Sequence, residues 1–144
     1  MRYWIIALAI GLTSCAAVPK STSQDGALKN VNGQVLPPQN LGLGECAFFG
    51  WSIESNPRLI FFAAKDRALY AAREGQENLT PQDDALPAKA YSRENGAPLQ
   101  INLGGNIKSS PRGTQYPSAS IKTQDSQGWD KLIPMAGLQY CKEV

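Results

Sequence analysis

Cys15, Cys46 and Cys141 are the only thiols in the chain, and no histidine accompanies them. Without histidine there is no Ser-His-Asp or Cys-His nucleophile, the commonest general base is missing, and most catalytic zinc sites are excluded. Twelve carboxylates remain, of which only Asp83 and Asp84 are adjacent. A calcium loop needs further oxygen ligands at alternating positions, which this Pro-flanked stretch does not supply, so no metal site is assigned. Lys108-Ser109-Ser110 holds the one nucleophile–base pairing available without histidine, but neighbouring loop side chains face apart. Gly42-x-Gly44 and Gly104-Gly105 precede no helix and so make no phosphate cradle. Asn78-Leu79-Thr80 is a glycosylation sequon by pattern alone. The net charge of +2 is too even for a nucleic-acid-binding stripe. No catalytic residue, metal or cofactor follows from these residues; the expectation is binding, with no nucleic-acid partner.

The surroundings of the first cysteine are more specific. Met1-Arg2-Tyr3 precedes nine apolar residues, Trp4 to Leu12, followed by Thr13-Ser14. A positive start and a short apolar core have the layout of a secretory signal peptide over residues 1–14. Nine helical residues rise about 14 Å, too little for a hydrocarbon core of about 30 Å, so a transmembrane anchor is not expected. Leu12-Thr13-Ser14-Cys15 resembles the bacterial lipobox. That resemblance implies a diacylglycerol on the Cys15 sulfur, cleavage before Cys15 and acylation of the new amino group. Several acyl chains hold a protein stably where one does not, at about 0.8 kcal/mol per buried CH₂. Ala16, standing where Asp would mark inner-membrane retention, implies the periplasmic face of the outer membrane. The membrane is therefore an expected partner, reached through the lipid.

The remaining chain must position whatever does the binding. Residues 15–40 are polar and interrupted by Gly26, Gly33 and three prolines. Such a segment buries too little apolar surface to offset its ordering entropy and reads as a flexible tether, with one possible edge strand over residues 31–36. From residue 41 to 144, short apolar runs alternate with turn residues. Residues 45–52, 59–64 and 68–72 read as strands, the last two joined as a hairpin at Lys65-Asp66-Arg67. Residues 88–93 and 98–103 flank Asn95-Gly96, the strongest short-range hairpin signal. Residues 118–123 and 129–133 flank Asp125-Ser126-Gln127-Gly128, a third hairpin, and Pro134 marks a bulge or break before residues 135–141. Residues 74–87 and 109–117 read as irregular loops. The fold expected is all-β: a small antiparallel sandwich or barrel of about seven or eight strands.

With Cys15 taken by lipid, Cys46 and Cys141 form an even pair in an oxidising compartment and are expected to be disulfide-bonded. Closing a loop of about 100 residues lowers unfolded-state entropy by about 4.7 kcal/mol on the chain-entropy model. The bond would fasten the first strand to the last. No Cys-x-x-Cys is present to make the pair redox-active. Trp51 and Trp129 lie in strand-like runs, which favours core packing over ligand stacking. Lys108, Arg112 and Tyr116 share one loop and are types enriched at interfaces, which makes them candidate partner-binding residues.

Gly44-Glu45-Cys46-Ala47, Trp51-Ser52, Pro57-Arg58, Trp129 and Ile133-Pro134-Met135-Ala136-Gly137-Leu138 with Cys141 resemble small Gram-negative envelope lipoproteins. That group implies no activity. The general design of lipid anchor, small barrel and disulfide is also that of lipoprotein-type lysozyme inhibitors, although their inhibitory loop has no counterpart here. The expected function is thus a lipid-anchored binding or envelope-assembly module whose partner is another envelope protein. Two alternatives are an inhibitor of a secreted hydrolase such as lysozyme and a small enzyme working without histidine.

Overall fold

The computed structural model describes residues 35–144; the expected signal peptide, Cys15 and the expected tether up to residue 34 lie outside the described residues. Ten strands form one antiparallel sheet: β1 Cys46–Ser52, β2 Leu59–Ala64, β3 Ala68–Ala71, β4 Gln76–Asn78, β5 Thr80–Pro81, β6 Ala90–Ser92, β7 Pro98–Gly104, β8 Lys108–Ser110, β9 Gly113–Gln124 and β10 Asp130–Cys141. Their order is β4-β3-β2-β1-β10-β9-β7-β6-β5, with β8 added on β9. The two ends of that order are one piece of chain, since only Leu79 separates β4 from β5. Before Leu79 the chain pairs with β3, and after it with β6. A single bent segment thus nearly closes the sheet into a barrel, which removes most of the free edges an open sheet would carry.

The alternation of side chains explains the two surfaces. Phe48, Gly50 and Ser52 point inward from β1, and Phe61 on β2 opposite Gly50 points inward with them. Phe48, Phe61, Leu99, Ile121 and Met135 fill the interior and are wholly buried. Gly50 and Gly137 sit opposite one another on β1 and β10. A methyl group on Gly137 would collide with the Phe48 ring, and one on Gly50 with Met135. These glycines make room for large neighbours.

Phe62 and Ala64 on β2 face outward yet are buried. Leu36 donates its amide to the Leu59 carbonyl at the start of β2, and Arg67 after its end bonds the Asn40 carbonyl at 2.6 Å. Residues 36–41 therefore cross the outer side of β2 and cover it. Leu36, placed by composition in the tether, is itself buried.

The β2–β3, β6–β7 and β9–β10 hairpins lie where turn chemistry places them. At Asn95-Gly96 the chain turns with Gly96 at φ 80°. The strand count is slightly higher than the sequence suggests, because segments read as loops contain β4, β5, β8 and the start of β9. These pieces are polar and receive their strand character from neighbours already in place. Pro134 does not break β10; the register shift falls just after it, between Met135 and Gly137. Trp129 is not core: it lies 71% exposed beside the Asp125 turn, while Trp51 is half-buried on the outer side of β1.

Candidate functional site

Cys46 and Cys141 are directly paired residues of β1 and β10 and are joined by a disulfide. The bond clips together the first and last strands, as their positions in the sequence led one to expect.

One mouth of the barrel is plugged by charge. Strand alternation turns Glu77 on β4 inward beside Tyr70, and Arg93 inward after Tyr91. The Arg93 guanidinium donates to both Glu77 oxygens, Nε to Oε2 at 2.8 Å and Nη2 to Oε1 at 2.6 Å, with Nη1 donating to the Gln124 carbonyl at 2.9 Å. The same guanidinium lies over the Tyr70 ring, 5.5 Å from its centroid. Side-chain exposures of 8% and 16% place this pair largely out of water. Hydrogen bonding to Glu77 holds Arg93 even more firmly protonated than usual, and burial raises the Tyr70 phenol. A cation fixed in its charged form and bound at both carboxylate oxygens offers no proton to transfer, so the arrangement is a plug. Above it lies a polar hollow of about 640 Å³ bordered by Arg73, Glu74, Asp125 and Lys131. Sequence reading missed this pair because Glu77 fell in an expected loop. The available signal was the alternation Tyr91-x-Arg93, which puts an arginine on the inward face.

At the opposite mouth a hollow of about 610 Å³ is bordered by Glu45, Lys65, Asp66, Asp83, Asp84 and Tyr91. Asp83 is occupied locally, its two oxygens accepting the Ala85 and Lys89 amides at 2.9 Å each. The Tyr91 hydroxyl accepts the Ala88 amide at 2.8 Å, and burial pushes its pKa up to about 12. Its titration therefore lies far above neutral pH.

The three candidate partner-binding residues do not act as one group. Lys108 in β8 and Arg112 at the tip of the β8–β9 hairpin are exposed. Tyr116 instead faces Gly137 across the β9–β10 pair and packs on Phe48, ring centroids 5.8 Å apart, with its hydroxyl donating to Gln139 at 3.3 Å. It belongs to the barrel filling. Ser110 is likewise engaged locally, its hydroxyl bonding Gly113 and Arg112 backbone atoms.

Two surface features remain. The outward positions of β10 read Leu132, Pro134, Ala136, Leu138 and Tyr140, and beside them on β1 stand Phe49 and Trp51, stacked at 5.7 Å. Leu132 and Ile53 at one end of this apolar stripe are 66% and 60% exposed. The second feature is a groove of about 480 Å³ between residues 87–90 and 100–103, where β6 ends before β7 does. No family model, no curated protein and no solved structure matches the chain.

Proposed function

We propose that this protein is a lipid-anchored envelope lipoprotein that works by binding another envelope protein. Cys15 would carry the lipid on the periplasmic face of the outer membrane, and the disulfide-clipped barrel would present the binding surface. The observation that carries the reading is the position of the apolar residues. The barrel interior is filled by its own side chains, while a further stripe of apolar groups on β10 and β1 faces outward. A soluble domain that leaves contiguous apolar residues on one face marks an interaction surface.

The test is cross-linking from position 132 in a Gram-negative envelope, using the full chain with a photoreactive residue there. One protein cross-linked reproducibly, and lost in a Trp51→Glu variant that keeps its melting temperature, supports the reading. Failure to cross-link any protein, or turnover of an envelope substrate by the purified chain alone, overturns it. Lipidation is checked separately: labelled fatty acid should enter the wild type and not Cys15→Ser.

A further inference from the structure

Besides the apolar stripe, the described residues include a stretch of strand backbone without a partner at the end of β7. Leu99 lies opposite Tyr91, and the Ile101 amide donates to the Lys89 carbonyl at 2.9 Å. Strand alternation directs the amide and carbonyl of the next odd residue, Leu103, toward that same side. There β6 has already ended, and among the described residues no hydrogen bond meets them. Beyond the turn at Gly105, β8 pairs with β9 alone among the described residues, which leaves its other edge open there as well. Leu103 and β8 therefore form an interrupted free edge on one side of the barrel, bordered by the groove.

A free strand edge is complementary to one kind of ligand, an extended polypeptide that supplies the missing donors and acceptors. The charges along it select among such polypeptides. Lys89 on one wall, Lys108 in β8 and Arg112 at the hairpin tip are exposed, and among the described residues none of them is in an ion pair. Two copies of this chain meeting edge to edge would bring these cations together, which disfavours self-pairing. Leu103 and Ile107, 39% and 56% exposed, offer apolar contacts between the charges.

We infer that the edge formed by Leu103 and β8 accepts an extended, acidic polypeptide segment as an added strand. This site is separate from the apolar stripe and does not depend on what covers that stripe.

The probe is a fluorescein-labelled ten-residue peptide alternating Glu with Val and Thr, titrated into the detergent-solubilised full chain. Saturable binding that weakens with salt is expected, and the Lys-for-Glu peptide should not bind. Lys108→Glu combined with Arg112→Glu should weaken binding about tenfold, a loss of about 1.4 kcal/mol shared by two exposed ion pairs. Hydrogen exchange of the Leu103 amide should slow on saturation, a change that loose electrostatic attraction alone would not cause. Absence of saturable binding at millimolar peptide, equal binding by the charge-reversed variant, or binding without Leu103 protection overturns the proposal. Concentration-dependent dimers protecting the same amide would also overturn it, in favour of a second copy. Because the probe is synthetic, its failure leaves the cross-linking result at position 132 unaffected.

Discussion

Replacing Arg93 by Met separates a plugged barrel mouth from a wet one. The Arg93 side chain is 8% exposed, and its guanidinium makes bonds to both Glu77 oxygens and to the Gln124 carbonyl. Its removal leaves a carboxylate that is only 16% exposed without its partner. Breaking a buried pair from one side costs about 3–5 kcal/mol, because the remaining charge is stranded. In a domain of this size, with roughly 4 °C lost per kcal/mol, that is a fall in Tm of about 12–20 °C. Glu77→Met should cost a similar amount, since it strands the cation instead. The double variant should recover much of the loss, because two apolar side chains leave nothing uncompensated. An internal control is the Lys122–Asp130 pair at 3.2 Å, with side-chain exposures of 49% and 62%. Removing that bridge should change stability by less than about 1 kcal/mol. Thermal melts of the four Glu77/Arg93 forms and of Lys122→Met give the coupling energy directly. If Arg93→Met melts within a degree or two of Lys122→Met, water reaches the pair and the plug argument is wrong.

Three further outcomes follow from the same geometry. Gly137→Ala forces a methyl into the Phe48 ring and should destabilise by about 1–3 kcal/mol, measured by urea unfolding; a neutral result would mean that the ring moves freely. Reducing the Cys46–Cys141 bond, which spans 95 positions, should lower stability by up to about 4.7 kcal/mol, and equal melts with and without reductant would contradict this. Because folding raises the Tyr91 pKa from 10.0 to about 12, the folded state holds that proton more tightly than the unfolded state. Stability from this group is therefore complete below pH 10.0 and is lost as pH climbs toward about 12, by about 1.4 kcal/mol for each pH step of one between those limits. Tyr91→Phe should flatten the fall in Tm across that range, and an unchanged slope would assign the alkaline loss elsewhere.

Much of this architecture is legible in local chemistry. Short β-prone runs, the Asn95-Gly96 turn and a Gly128 turn specify hairpins because each is a contact between near neighbours. The pairing of Cys46 with Cys141 is legible for a different reason: only two cysteines remain if Cys15 is set aside for the lipid that its lipobox-like setting leads one to expect. What local pattern does not carry is any strand whose reason for being extended lies far away. Gln76-Glu77-Asn78 is polar and would be a loop in isolation, but β3 on one side of Leu79 and β6 on the other hold it extended. Lys108-Ser109-Ser110 is a strand only because β9 runs beside it.

The same distinction holds for the sites. The residue types at Lys108 and Arg112 showed in the sequence, as did the resemblance to a lipobox at Cys15. That Tyr116 turns inward onto Phe48, that Trp129 stays in solvent, and that Glu77 meets Arg93 follow from the way the barrel curls. Even the free edge at Leu103 exists only because β6 is shorter than the strand it pairs with. Sequence by itself determined the all-β class, the main hairpins and the absence of histidine-based chemistry. Tertiary structure alone decided which side chains face inward and which backbone groups go unpaired, because both depend on register between strands distant along the chain.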